Sequence, residues 1–237
     1  MASQEDILQR LRPLVEVHRD RRQEPVRFRP ATWRPWLEPH GAAQALGLGA
    51  VDTTSKSGDR FISRDDLAAA REALSDDPEE LRDLFVAVMI WGAGTTNGRA
   101  PRYTSAALGD TRLPYVLEAT RSAVRVGELP QAYTGFTVRG VRRAFFTKWF
   151  AIVDDRDAGC ERALILDDRV FHSLNALGWS SREAASTRRW AARYAAYVEA
   201  MHDWASRLGV TAAWLEWLMF DLNGHVETEQ PQLGKFG

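Results

Sequence analysis

Residues 144–153 read AFFTKWFAIV, an apolar run in which four aromatic side chains surround one lysine, Lys148. We predict a turn over residues 137–140 before this run and an acidic loop over residues 154–159 after it. Lys148 has two interpretations on this segment alone. It is either a surface lysine whose stem lies along apolar neighbours, or a desolvated amine at the start of a helix, where burial favours the neutral, nucleophilic form.

Helical periodicity extends over most of the remaining chain. Apolar residues recur at spacings of three and four. Helices are expected to begin at Ser63 or Asp65, at the run Ser75-Asp76-Asp77-Pro78, at Ser180 before a long helix, and at Thr211. Residues 20–62 are rich in arginine, proline, glycine and tryptophan, and they show neither a helical period nor a convincing β-hairpin. Residues 95–103 are interpreted as a polar loop. The fold class is therefore expected to be all-α.

We expect one compact multi-helix domain, built either as one lobe or as two lobes with a cleft between them. Its parts are an N-terminal helix and an irregular wrapping segment over residues 1–62, a helical core over 63–226 and a tail over 227–237.

The composition excludes several classes of protein. The single cysteine, Cys160, excludes an intramolecular disulfide and favours a reducing cytoplasm. No apolar run approaches the roughly 18–20 residues that span a bilayer, so no membrane association is expected. The net charge of −1 argues against a protein that coats nucleic acid through its overall charge. Residues 129–153 nevertheless carry only basic charges, which suit either a small DNA footprint or a solvated cationic surface.

A carboxylate follows the lysine at a fixed distance along the chain. Leu164, Ile165 and Leu166 lead into Asp167-Asp168, and aspartate is a strong helix N-cap. Asp167 either only caps the helix that follows or also leaves the apolar segment toward a cleft. It stands nineteen residues after Lys148.

Thr147-Lys148 and Leu166-Asp167-Asp168-Arg169-Val170 together resemble the helix-hairpin-helix DNA glycosylases, specifically their 8-oxoguanine glycosylase branch. In that branch a Thr-Lys pair opens the helix behind a hairpin, and an aspartate at this separation begins the next helix. The resemblance covers roughly residues 80–225 and implies that Lys148 is the nucleophile and Asp167 its carboxylate partner. Residues 1–60 show no antiparallel sheet of the eukaryotic kind, which favours a small, prokaryote-like form.

The resemblance also implies contacts to the extruded base. Glu216 and Phe220 lie four residues apart, on one face of a last helix, and match the polar residue and the phenylalanine that face the base. Glu216 would hydrogen-bond the base edge and Phe220 would stack on the ring. Ile152 matches the position on the other side of the base.

DNA contacts follow from two further matches. Asn97 and Arg102 match an asparagine–arginine pair that reads the orphaned base opposite the lesion. The nearest equivalent of the family's glycine-rich hairpin is Gly140-Val141-Arg142, in which arginine replaces the second glycine. Arginine side chains are therefore expected to contact phosphate there, in the set Arg139, Gly140, Arg142 and Arg143.

The function that the resemblance implies is excision of an oxidised or modified purine, such as 8-oxoguanine, through a Schiff base on Lys148. Strand cleavage by β-elimination could follow, and neither a metal nor a cofactor is required. The expected partner is DNA that contains a damaged or modified guanine, bound by a monomer. Two alternatives stay open: a non-catalytic reader of DNA or modified guanine, for example in bacterial anti-phage defence, and a helical protein-interaction module.

Overall fold

A computed structural model describes residues 2–75, 77–96, 98–157 and 159–227 of the chain. Within these residues the fold is mostly helical, which confirms the predicted all-α class. None of the described helices has the length and apolar character needed to cross a membrane. The helices are α1 (Gln4–His18), α2 (Pro30–Leu37), α3 (Arg64–Glu72), α4 (Pro78–Gly92), α5 (Ala100–Leu108), α6 (Leu113–Arg125), α7 (Leu129–Gly135), α8 (Arg143–Val153), α9 (Asp168–Ala176), α10 (Ser181–Ala184), α11 (Trp190–Leu208) and α12 (Ala212–Leu222).

Three predicted capping residues begin helices as expected. The Ser63 hydroxyl accepts a hydrogen bond from the Asp66 amide at 3.1 Å, the Asp77 carboxylate from the Glu79 amide at 2.8 Å, and the Thr211 hydroxyl from the Trp214 amide at 3.2 Å. Each side chain satisfies an amide in the first turn that has no carbonyl partner within the helix.

The prediction of no sheet in the N-terminal segment was wrong. Strands β1 (Val26–Phe28), β2 (Ala50–Val51) and β3 (Arg60–Ile62) form an antiparallel sheet with β3 in the centre. These strands are too short for an alternating pattern to show in the sequence. Gly49 lets the strands approach each other, because a Cβ at this position would lie 2.0 Å from the Phe61 carbonyl oxygen.

Three helix boundaries also differ from the sequence prediction. Helix α5 begins at Ala100, inside the predicted polar loop, and helix α7 was not predicted. Ser180 caps only the single turn of α10, and the chain then breaks at Ser186, whose φ is +50°, before α11 begins. Tertiary packing decides these short elements, since they hold too few residues for a clear period.

Helix α4 lies at the centre of the core. Every residue from Leu84 to Trp91 is buried, as expected for a helix that is apolar on all sides. The Phe85 ring meets the Trp149 ring of α8 edge-on, with 6.0 Å between centroids. The Trp149 indole also donates a hydrogen bond of 3.1 Å to the Thr120 hydroxyl on α6. These contacts fix α8 against the centre of the molecule.

The segment 163–167 has no strand partner, and side chains hold its backbone instead. The Thr147 hydroxyl accepts from the Leu166 amide at 2.9 Å, and the Tyr194 and Tyr197 hydroxyls donate to the Leu164 and Ile165 carbonyls, both at 2.8 Å. Helices α8 and α11 therefore position the backbone that leads to Asp167.

We predict that Thr147→Val destabilises the protein, because the buried Leu166 amide loses its acceptor in a side chain of nearly the same shape. The expected loss is about 1–3 kcal/mol of unfolding free energy, measured by denaturant titration. Thr134→Val is the matched control, since the exposed Thr134 hydroxyl bonds only the carbonyl of its own helix. Equal losses in the two variants would contradict the role given to Thr147.

Candidate active site

Lys148 and Asp167 meet in a largely buried position. The Lys148 Nζ lies 3.3 Å from the Asp167 Oδ2, and the two side chains are 10% and 18% exposed. The amine also donates a hydrogen bond of 3.1 Å to the Ala144 carbonyl. The structure thus brings together the two residues that the sequence analysis singled out.

Each of the two side chains lies near the N-terminal end of a helix. Lys148 lies in the second turn of α8, and Asp167 is the N-cap of α9. The Asp167 Oδ1 accepts from the Arg169 amide at 3.1 Å, which leaves Oδ2 to face the amine. The N-terminus of a helix favours negative charge, so the capping geometry stabilises the carboxylate as well as orienting it.

Gly92, at the end of α4, lies directly against the stem of the Lys148 side chain. A Cβ at this position would lie 2.8 Å from Lys148 Cδ and 3.4 Å from Phe145 Cδ1. The Phe145 ring centroid lies 5.5 Å from Nζ, within range of a cation–π contact. The absence of a side chain on Gly92 therefore gives the lysine stem its path.

Glu216 lies buried beside this pair, on α12. Its Oε2 accepts from the Ile165 amide at 3.1 Å and lies 3.5 Å from the Arg64 Nη2. Burial raises the pKa of the Glu216 carboxyl, and the charge of Arg64, the Ile165 hydrogen bond and the charge of Lys148 oppose that rise. The acid thus belongs to the same electrostatic neighbourhood as the lysine.

Of the other two predicted base contacts, Ile152 is buried and Phe220 is partly covered. The Arg169 guanidinium lies 4.1 Å from the centroid of the Phe220 ring and covers one of its faces. Ile152 is 3% exposed and packs in the core. A base would reach Ile152 only if the core around it opened, and it would stack on the covered face of Phe220 only if Arg169 moved.

The chain between α7 and α8 forms a tight hairpin turn. The Val141 amide donates to the Val138 carbonyl at 3.4 Å, and Gly140 takes a φ of +88° that other residues rarely adopt. Phe136 and Val138 are buried, whereas Arg139, Gly140 and Arg142 are exposed. The buried residues anchor the turn and present its two arginines to solvent.

The remaining predicted DNA-binding residues differ in their surroundings. Arg143 forms an ion pair with Asp168, and its guanidinium stacks on Trp190 at 4.3 Å. Arg102 is exposed on α5, with its guanidinium 5.7 Å from the Tyr103 ring centroid. Asn97 lies outside the described residues. Between α5 and the hairpin turn is a cleft of about 370 Å³, lined by Arg99, Tyr103, Arg142 and Phe145 among others.

Sequence reasoning missed Arg64, Trp91 and Gly92, because their roles depend on contacts between distant parts of the chain. One available signal would have strengthened the case for Lys148. Lysine occurs only three times, at positions 56, 148 and 235, among 31 lysine and arginine residues. A chain that otherwise relies on arginine for positive charge keeps a primary amine at the largely buried position 148, and only an amine can act as a nucleophile.

Within the described ranges, no three His, Cys, Asp or Glu side chains are placed to hold a metal ion together. The chemistry that the site offers is that of an amine, a carboxylate and a second, buried acid. In a helical fold with a basic hairpin turn nearby, this is the arrangement of a protein of the DNA glycosylase type.

The comparison with known families agrees with this class. The model of the family described as "Putative 8-oxoguanine DNA glycosylase OGG-like protein" matches residues 19–220, and the chain belongs to this family. No curated protein and no solved structure matches the chain significantly.

We predict that Gly92→Ala impairs glycosylase activity about 10- to 100-fold, because the added methyl group pushes the Lys148 amine away from Asp167. The unfolding free energy should fall by less than about 1 kcal/mol, since alanine suits a helix better than glycine. Single-turnover cleavage of a lesion-bearing duplex and a denaturant titration measure the two effects.

Gly135→Ala is the matched control, because its new Cβ would meet nothing closer than the Thr120 methyl at 3.8 Å. Full activity in Gly92→Ala would show that the lysine path does not depend on this glycine.

Proposed function

We propose that this protein is a DNA glycosylase of the helix-hairpin-helix superfamily that excises an oxidised or modified purine of the 8-oxoguanine type. The observation that carries the proposal is the 3.3 Å contact between the Lys148 amine and the Asp167 carboxylate in a largely buried site. Lys148 acts as the nucleophile and Asp167 as its partner.

The reaction begins with a nucleotide extruded from the duplex, because a stacked base is out of reach. The Nζ of Lys148 bonds to the sugar C1′ as the bond from C1′ to the base breaks, and the electron pair leaves with the base. Lys148 first gives up one ammonium proton, which ends on the departing base, so Nζ keeps two hydrogens after it has bonded to C1′. The negative charge of Asp167 stabilises the positive charge that develops on the sugar.

The covalent intermediate then opens to a Schiff base. The bond between C1′ and the ring oxygen breaks, a proton passes from nitrogen to that oxygen, and a protonated imine joins Lys148 to the sugar. Loss of a C2′ proton from this imine would expel the 3′ phosphate, which is the β-lyase reaction. The low exposure of both side chains supports this route, because it limits competing attack by water.

DNA binding is assigned to the hairpin turn. Arg139 and Arg142 are exposed on either side of Gly140, so both guanidinium groups are free to reach phosphate. Arg143 acts differently, since its pair with Asp168 ties the start of α8 to the start of α9. Arg102, together with Asn97, is proposed to read the orphaned base.

Base recognition is assigned to Glu216, with Phe220 and Ile152 as the walls of an opened pocket. Glu216 lies beside the catalytic pair, and a buried carboxylate accepts hydrogen bonds only. It would therefore bind the donor edge of a guanine-type base.

We predict that Lys148→Gln abolishes the covalent adduct that borohydride traps on 8-oxoguanine DNA, because an amide forms no Schiff base. Lys56→Gln is the matched control, since Lys56 is an exposed lysine and should leave trapping unchanged. Asp167→Asn should still bind DNA but should trap and excise about 100-fold more slowly, through loss of the stabilising charge.

The same experiment separates the alternatives. Salt-dependent DNA binding by the wild type without any trapped adduct or excision would identify a non-catalytic reader. Absence of DNA binding would favour a protein-interaction module.

We predict that Arg142→Ala lowers the salt dependence of DNA binding. Loss of one phosphate contact should reduce the slope of log affinity against log salt concentration by about 0.9, whatever the DNA sequence. Fluorescence titrations at several salt concentrations measure this slope. Arg12→Ala, which removes an exposed arginine of α1, should leave the slope unchanged, and equal slopes for all three proteins would contradict the assignment of the hairpin turn.

A further inference from the structure

The ion pair between Arg64 and Glu216 takes no part in the reaction proposed for Lys148 and Asp167. Arg64 is the first residue of α3, and its Nη2 lies 3.5 Å from Glu216 Oε2. The Glu216 side chain is 3% exposed and that of Arg64 is 26% exposed. A buried pair of charges is costly to desolvate, so its presence in the site calls for a reason beyond stability.

Few charged groups face Glu216, and they come from four elements. Arg64 approaches from α3 and Lys148 from α8, and their charges favour the carboxylate. The Tyr194 and Tyr197 hydroxyls of α11 lie close by. Burial raises the pKa of both phenols, and the charge of Glu216 adds to that rise. Asp167 also lies in this neighbourhood, but its Oδ2 is turned to Lys148.

Arg64 and Lys148 differ in whether they keep their positive charge throughout the proposed reaction. Lys148 must give up a proton to attack the sugar, so its charge changes during the reaction. The guanidinium of Arg64 stays protonated at any accessible pH. Among the described residues that face Glu216, Arg64 is therefore the permanent cation.

The contacts of Glu216 leave room for a ligand. Both its hydrogen bond from Ile165 and its pair with Arg64 fall on Oε2. The other oxygen, Oε1, is left to accept from a base. The ionised Glu216 carboxylate only accepts hydrogen bonds, so it fits a base edge with adjacent N–H donors. A protonated Glu216 could also donate a hydrogen bond, so it would fit a base edge that carries an acceptor.

Two unused donors lie in the same cluster. The Arg64 guanidinium sits 5.4 Å from the centroid of the Trp91 ring. Arg64 Nε and Trp91 Nε1 are both buried without a partner among the described residues. A carbonyl oxygen on the ligand would satisfy such donors, and buried polar groups ordinarily have a partner.

We propose that Arg64 is a positioning residue that keeps Glu216 ionised throughout the reaction, and that the ionised glutamate selects a guanine-type base through its ring N–H and amino group. This inference rests on the proposed glycosylase function. The indole N–H of Trp91, a buried donor without a partner among the described residues, binds a carbonyl oxygen of the same base.

The first test is a ¹³C NMR titration of the glutamate side chains in the full chain, with Glu216→Gln to identify the Glu216 signal. In Arg64→Gln the Glu216 carboxyl should ionise at a higher pH than in the wild type, and Arg64→Lys should lie between the two. An unchanged Glu216 titration in Arg64→Gln would overturn the proposal, whatever the enzyme does.

The second test is the pH profile of single-turnover excision. Arg64→Gln should lose activity relative to the wild type at acid pH and recover it as the pH rises. A rise of one unit in the Glu216 pKa makes the ionised fraction about tenfold smaller wherever the acid is mostly protonated in both proteins. The preference of Arg64→Gln for 8-oxoguanine over 8-oxoadenine should fall in the same acid range. In the Glu216→Gln background, Arg64→Gln should add no further pH dependence.

Arg156→Gln is the matched structural control. Arg156 pairs with the buried Asp154 at 2.7 Å, so its loss should lower stability without moving the pH profile. A parallel loss at all pH values in Arg64→Gln would mean that Arg64 is merely structural and would overturn the proposal.

Absence of excision and trapping in the wild type would instead refute the glycosylase function, and base selection with it. The NMR titration would still report on the ion pair.

Discussion

The hydrogen bond from the Leu166 amide to the Thr147 hydroxyl joins the residue before Asp167 to the residue before Lys148. The same hydroxyl donates to the Arg143 carbonyl, so it also lies within the hydrogen-bonding pattern of α8. This one side chain therefore fixes the distance between the two helix starts that carry the amine and the carboxylate. A segment without a strand partner keeps its place because buried hydroxyl groups satisfy its backbone.

The electrostatics of the site follow from this arrangement. Burial of an amine and two acids costs free energy, and each charge is offset by a specific neighbour rather than by water. Lys148 has Asp167, Asp167 has the first turn of α9, and Glu216 has Arg64 and the Ile165 amide. Such a set of paired charges is costly for stability alone, but it suits the proposed reaction, in which positive charge develops on the sugar.

The sequence was informative where structure depends on neighbours along the chain. Ser63, Asp77 and Thr211 begin helices because a cap needs only the next few residues. The proximity of Lys148 and Asp167 was predictable only through a family resemblance, since nothing in the spacing itself brings them together. The three short strands, the path of the lysine over Gly92 and the pairing of Arg64 with Glu216 were missed. They depend on contacts between residues far apart in the chain, which local patterns do not encode.

The proposed chemistry depends most directly on the Nζ of Lys148 as the atom that bonds to the sugar. Borohydride reduction of the wild type on 8-oxoguanine DNA, followed by proteolysis and mass spectrometry, locates the adduct on a peptide. We predict a reduced deoxyribose adduct on the peptide that contains Lys148, with trypsin cleavage blocked at that residue. An adduct on the N-terminal amine or on Lys56, or none at all while the base is still released, would contradict it.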